Sequence, residues 1–273
     1  MCGIIGIVSR PPTRATPEPA DLLGGLDRAE LAISAGFSGM VDARDHAHTV
    51  DEALRGLPGV LALAGHVDVV AAVTARLDHL DAAAADIERR LDVNADQLDA
   101  EELERANAQL IDLKDALWAI RHDRLRTTRE VETLAGRDAP ASALGGYLAV
   151  QQAFSAIDRL EVRGRDSAGL HVFVWGHDIE PAALGALVDE RGTDPLFQSG
   201  AVVAAGECLS FVYKAAAEIG ELGDNTAALR RALSADALLR RALQSPSARV
   251  AILGHTRWAS VGIISEPNTH PLN

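Results

Sequence analysis

The chain has 273 residues, with 26 Lys+Arg against 39 Asp+Glu and a formal net charge of −13. A balance that acidic excludes a binder of phosphate backbones, which must present a basic face, so no nucleic-acid partner is expected. Hydrophobic residues at 48% and charged residues at 24% exclude a disordered tail, and aromatics at only 4% leave the core to Ala, Leu and Val.

Residues 2–8 form a short apolar, β-branched run that stops at Ser9, Arg10 and Pro11-Pro12, the pattern of a buried strand, so the chain is expected to begin inside a sheet. The proline-rich stretch 10–19 reads as loop, and 20–64 reads as short helices punctuated by Gly24-Gly25, Gly36, Gly39, Gly56 and Gly59. The longest apolar stretch, 60–75, is interrupted by His66 and Asp68. It falls short of the ~20 residues a membrane helix needs, so no membrane partner is expected. No basic segment leads into an apolar one at the N-terminus, which predicts a cytoplasmic location. Cys2 and Cys208 are too few for a disulfide framework and fit a reducing compartment.

Residues 67–135 differ in kind. Apolar side chains recur at Val70, Val73, Leu77, Leu80, Ala84, Ile87 and Leu91, and an out-of-phase seam follows at Leu103, Ala106, Leu110, Leu113, Leu117 and Ile120, with Val131 and Leu134 beyond. The break near Asp92-Val93-Asn94-Ala95-Asp96 predicts two antiparallel helices joined by a turn, a coiled-coil arm. This segment carries 16 acidic and 9 basic residues, more than half the net charge, which reads as a solvated outer face. A helix over 141–160, strands over 170–175 and 208–213, an amphipathic helix over 226–243 and a final strand over 250–253 complete the expected elements.

Cys2 follows Met1. Removal of the initiator would leave a thiol beside a free α-amine, which titrates near ~7.7–8.0 and can take the thiol proton, so the pair has the makings of a nucleophile carrying its own base. Met-Cys can equally open a chain whose cysteine is an ordinary side chain. Two further segments add weight: Arg163-Gly164-Arg165-Asp166-Ser167-Ala168-Gly169 and Gly254-His255-Thr256-Arg257-Trp258-Ala259-Ser260. With Cys2-Gly3-Ile4-Ile5-Gly6-Ile7 and the tail Ser265-Glu266-Pro267-Asn268-Thr269-His270-Pro271, they resemble the class II, N-terminal-cysteine glutamine amidotransferases. Within that family they look most like the glutaminase domain of glutamine-fructose-6-phosphate aminotransferase.

The resemblance covers the first strand, about 141–177 and about 206–273, leaving insertions at about 20–140 (the coiled-coil arm at 67–135) and about 178–205 within one amidotransferase domain, 1–273. It implies an α+β fold, the four-layer αββα sandwich of the N-terminal-nucleophile hydrolases. Cys2 would be the catalytic nucleophile, with Arg163 and Gly164 lining the pocket beside it. Arg257 would clamp the glutamine α-carboxylate, Trp258 would close over the substrate and Ser260 would donate a hydrogen bond. Asp166 and Ser167 read as fixing a turn, His171 as a partnered, half-buried strand residue, and His255 and His270 as structural. No metal and no cofactor are expected.

Val261 stands where the family commonly has a histidine. The family also continues past His270-Pro271 into a strand with an Asn-Gly oxyanion pair and an acidic residue for the glutamine amine, so a domain incomplete at its C-terminus is expected. The function implied is glutamine hydrolysis through a Cys2 thioester, with ammonia passed to a phosphosugar such as fructose 6-phosphate in a further domain, and a homodimer is one assembly the arm allows. The alternative is a non-catalytic, amidotransferase-like remnant in which the arm serves as an interaction module.

Overall fold

The computed structural model describes residues 2–94, 99–136, 138–197, 201–216, 221–259 and 262–271. The fold is α+β and divides into two units, Pro12–Glu130 and Met1–Pro11 with Val131–Asn273.

The first unit is helical. Helices α1 (Pro19–Ile33), α2 (Met40–Ala53), α3 (Gly56–Leu63), α4 (Val67–Asn94) and α5 (Ala100–Trp118) share one core, in which Leu26, Ala43, Leu77, Leu80, Leu113 and Leu117 are essentially inaccessible. The Gly24-Gly25 pair lies inside α1 and does not break it. A side chain on Gly25 would come within 2.5 Å of Val50 on α2, so the missing Cβ lets the two helices close on each other. Lys114 meets Glu88, while Arg121, farther along the chain, meets Asp78 and Asp81, so α4 and α5 run antiparallel. Asp99 caps α5 in a capping box with Glu102. Val73, Leu77, Leu80, Ala84, Ile87 and Leu91 are all buried, as are Leu110, Leu113, Leu117 and Ile120, while Leu103 and Ala106 pack at the margin. The seam slips after Ile120 because Ala119–Leu125 is a π-helix, whose wider turn absorbs the irregular spacing to buried Leu125 before α6 (Arg126–Ala135). Ala95 and Asp96, at the expected turn, lie outside the described residues.

The second unit holds, among the described residues, one antiparallel sheet of five strands in the order β1-β5-β2-β4-β3. They are β1 (Gly3–Val8), β2 (Ser167–Trp175), β3 (Val202–Ala205), β4 (Cys208–Ala215) and β5 (Arg249–Arg257). Helix α7 (Ala141–Glu161) packs on β1 and β5, and α9 (Asp224–Ala235) on β2 and β4. Leu170, Val172, Phe211, Ile252 and Leu209 point inward with Tyr147, Phe154 and Ile157 of α7.

Two expectations are corrected here. β1 is an edge strand with only one covered face, since Ile4 and Val8 are 79% and 72% exposed. The helix foreseen over 226–243 is two helices, α9 and α10 (Ala237–Ala242), parted at Asp236. Asp236 is fully buried. Its Oδ2 accepts from Arg191 Nε at 2.7 Å and from the Tyr213 hydroxyl at 2.8 Å, and its Oδ1 accepts from Leu239 N at 3.0 Å, capping α10. Arg191 reaches in from α8 (Pro181–Gly192), and its guanidinium stacks 4.1 Å from the Phe197 ring centroid. Burial holds the Tyr213 hydroxyl well above its usual pKa, so it stays a donor.

Removing one partner of a buried ion pair strands the other charge. Asp236→Ala is therefore expected to cost about 3–5 kcal/mol in urea unfolding, and a loss under ~1 kcal/mol would contradict this role for the cluster.

Candidate active site

The residues singled out in the sequence gather at one end of the sheet. β1 pairs with β5 so that Gly3 stands opposite Thr256, and β2 flanks the other side of β5 with Ser167 opposite Arg257. The polar run His255-Thr256-Arg257 thus belongs to β5 itself, which is longer than the expected 250–253, because both neighbouring strands supply it with partners. The Gly3 N–H donates to Thr256 Oγ1 at 3.2 Å. A Cβ on Gly3 would lie 2.8 Å from both Thr256 Oγ1 and Leu160 Cδ1, so a larger residue would have to displace both side chains where β1 seats against α7. Gly3 faces α7 and Thr256 is buried on the same side, so strand alternation directs exposed Cys2 and half-buried Arg257 to the opposite face.

The segment Arg163-Gly164-Arg165-Asp166 links the end of α7 to β2 across this end of the sheet. Arg163 N–H donates to Leu160 O at 2.9 Å, Gly164 N–H to Glu161 O at 3.1 Å and Asp166 N–H to Arg257 O at 3.1 Å. The Asp166 carboxylate accepts from the Ala259 N–H just beyond β5. Asp166 therefore does more than fix its own turn: it ties the Arg163 segment to the Arg257 segment. Gly164 is buried, whereas Arg163 presents its side chain to solvent. Ser167 is fully buried, and its hydroxyl has no hydrogen-bond partner among the described residues.

The tail folds back over this end. The His270 carbonyl would be 1.9 Å from a Cβ on Gly169, so the tail rests directly on the β2 backbone. Arg257 Nη1 donates to the Asn268 carbonyl at 3.2 Å, and Asn268 Nδ2 donates to Ile263 O at 3.2 Å. Trp258 stands beyond β5, 53% exposed. Ser260 and Val261 lie outside the described residues. The structure thus places Cys2, Arg163, Gly164 and Arg257 at one sheet end with Trp258 at the rim. Sequence reasoning missed the linking roles of Thr256 and Asp166, whose partners are distant in the chain, and of the Asn268 carbonyl, which meets Arg257 only through the fold-back of the tail.

Away from this end, the face opposite α7 and α9 is open and apolar. Ile4, Val8, Leu253, Trp175 and Val203 lie exposed on it, and His171, Phe173 and Trp175 stack along β2 with centroid separations of 4.0 and 6.0 Å. His171 is half-buried as expected, but its Nε2 finds no partner among the described residues, and neither does Nδ1 of His255, whose ring lies 5.0 Å from that of His270. Burial lowers the pKa of His171; burial, then His270 and Arg257, lowers that of His255. Cys208 also lies on this face, and burial pushes its thiol up. Among the described residues no cluster of three or more His, Cys, Asp or Glu is placed to hold a metal ion, and no single helix is long and apolar enough to cross a membrane.

Compared with known proteins, the chain matches no family model, no curated protein and no solved structure.

Both histidines, His171 and His255, favour the folded chain when neutral. Their folded pKa values lie below the ordinary histidine value of about 6.5, so on acidification the unfolded chain takes up their protons first. The stability they contribute is complete above that value and is lost as pH falls through the folded values. The melting temperature should drop between about pH 7.5 and about pH 5.5, and less so in the His171→Gln/His255→Gln double variant. Equal drops in the two proteins would contradict the assignment.

Proposed function

We propose that this chain carries the glutaminase chemistry of a class II amidotransferase, with Cys2 as nucleophile. The observation that carries the reading is the β1–β5–β2 register, which sets Cys2, the Arg163-Gly164 loop and Arg257 at one end of one sheet although they are some 160 and 255 positions apart in the chain. After loss of Met1, the α-amine takes the thiol proton and the thiolate adds to the side-chain carbonyl of glutamine. The tetrahedral adduct collapses by breaking the C–N bond, the nitrogen leaves as ammonia with the proton returned to it, and water then hydrolyses the glutamyl thioester to glutamate and free thiol. Arg257, a planar fork suited to bidentate carboxylate recognition, holds the substrate α-carboxylate. Arg163 supplies fixed positive charge beside the thiolate, Gly164 permits close backbone approach, Trp258 closes over the substrate and Ser260 donates to it.

In this reading the fold is a four-layer αββα sandwich. Support for it comes from the open apolar face, where Ile4, Val8, Leu253 and Trp175 have the character of a surface that a second sheet covers. The helical unit is then an insertion whose α4–α5 pair forms a coiled-coil hairpin. The ammonia acceptor is a phosphosugar such as fructose 6-phosphate, the location is cytoplasmic, and a homodimer is the assembly we favour. A second reading keeps this fold as a non-catalytic remnant that binds a partner through the helical unit; exposed Ile111 and Trp118 on α5 favour it.

Incubation with a glutamine-mimicking diazoketone separates the two. Intact mass should show a chain lacking Met1 and gaining one adduct, which Cys2→Ala abolishes and Arg257→Ala slows about 10²-fold or more. Retained Met1, or label spread equally to Cys208, would sink the enzyme reading.

A further inference from the structure

We infer that the N-terminal turn of α9 is the support that positions the 163–166 loop, with Asn225 and Glu161 as positioning residues. As a statement about the active site this rests on the amidotransferase reading above; as a statement about the loop it does not. The loop is hydrogen-bonded to α7 through the Arg163 and Gly164 N–H groups and to β5 through the Asp166 N–H. Between them, the carbonyl of Arg165 accepts from Asn225 Nδ2 at 2.7 Å. Asn225 is 2% exposed, so this bond gives a buried carboxamide an acceptor. At the α7 end, the Glu161 carboxylate, 1% exposed, accepts from the Gly223 N–H at 2.6 Å. Gly223 precedes α9 in the left-handed conformation (φ 98°), which turns its N–H back towards α7.

Two cross-links therefore run from one helix start, one from Gly223 to the end of α7 that leads into the loop and one from Asn225 to the loop itself. Neither Asn225 nor Glu161 belongs to the sequence motifs on which the family resemblance rests. Their chemistry is specific. Asn225 must donate, so Asn225→Asp, equal in size, would set a carboxylate against a carbonyl oxygen. Glu161 needs only to accept, so Glu161→Gln keeps the bond to Gly223 without burying a charge, and burial already raises the carboxyl pKa at this position.

Arg163 and Arg165 are both exposed, which makes the loop its own reporter for trypsin. In the full chain, Asn225→Ala, Asn225→Asp and Glu161→Ala should each raise cleavage after Arg163 and Arg165 about tenfold relative to cleavage after Arg249, with Glu161→Gln close to wild type. The same variants should lower the maximal rate of diazoketone labelling at Cys2 about tenfold and leave its half-saturating concentration unchanged, because Arg257 is untouched. If wild type takes no label while the cleavage pattern holds, the loop support stands and the amidotransferase reading fails. Unchanged cleavage in Asn225→Ala and Glu161→Ala overturns the inference. So does a rise shared equally by Arg249, which would make the two residues general props of the fold.

Discussion

The close seating of β1 between β5 and α7 is the constraint on which the candidate site depends. It turns on Gly3, where a single added carbon would collide with Leu160 on one side and Thr256 on the other. Because that position closes tightly, the strand register is fixed, and a one-residue slip would send Cys2 to the wrong face. Arg257 follows from the same ladder, since β5 is held between β1 and β2 up to Thr256 and β2 continues the pairing to Arg257. Asp166 then fastens the loop from α7 to the end of β5. The site is thus defined by backbone pairing and one close contact, not by a cluster of charged side chains.

The helical unit solves a different problem with different means. Its acidic surplus is partly neutralised within the unit: Arg76 meets Asp27, Arg121 bridges Asp78 and Asp81, and Lys114 meets Glu88. The Arg76 hydrogen bond lowers the Asp27 pKa. Such exposed pairs are screened by solvent, so they set helix register more than they stabilise it. Asp51 is the exception. Only 2% exposed, it receives both Arg55 and Arg124, and its buried charge is tolerable because two guanidinium groups share it. The stability of the unit comes mainly from the leucine and alanine faces of α1, α2, α4 and α5.

Periodic features were readable in the sequence and pair-dependent ones were not. The seams of α4 and α5 announce themselves because each buried residue recurs every three or four positions, and the β1 run is apolar throughout. The extent of β5 is hidden, since His255, Thr256 and Arg257 look like loop until two neighbouring strands are known. Asp236 resembles any polar residue on a helix surface, and its break between α9 and α10 depends on Arg191, 45 positions earlier. Strand β3 is too short and too exposed to leave a pattern. The motifs could be found by residue identity, whereas the bonds of Asn225 and Glu161 to a backbone carbonyl and a backbone N–H leave no signal in the sequence.

What unites the site is the claim that one substrate bridges the thiol and the guanidinium across the end of the sheet. The rate of iodoacetamide alkylation at Cys2, followed by mass spectrometry with and without glutamine, reads that bridge in a single experiment. Glutamine should slow alkylation of Cys2 while leaving Cys208 unchanged, and Arg257→Ala should remove the protection. A Cys2 rate indifferent to saturating glutamine, or protection that survives Arg257→Ala, would contradict it.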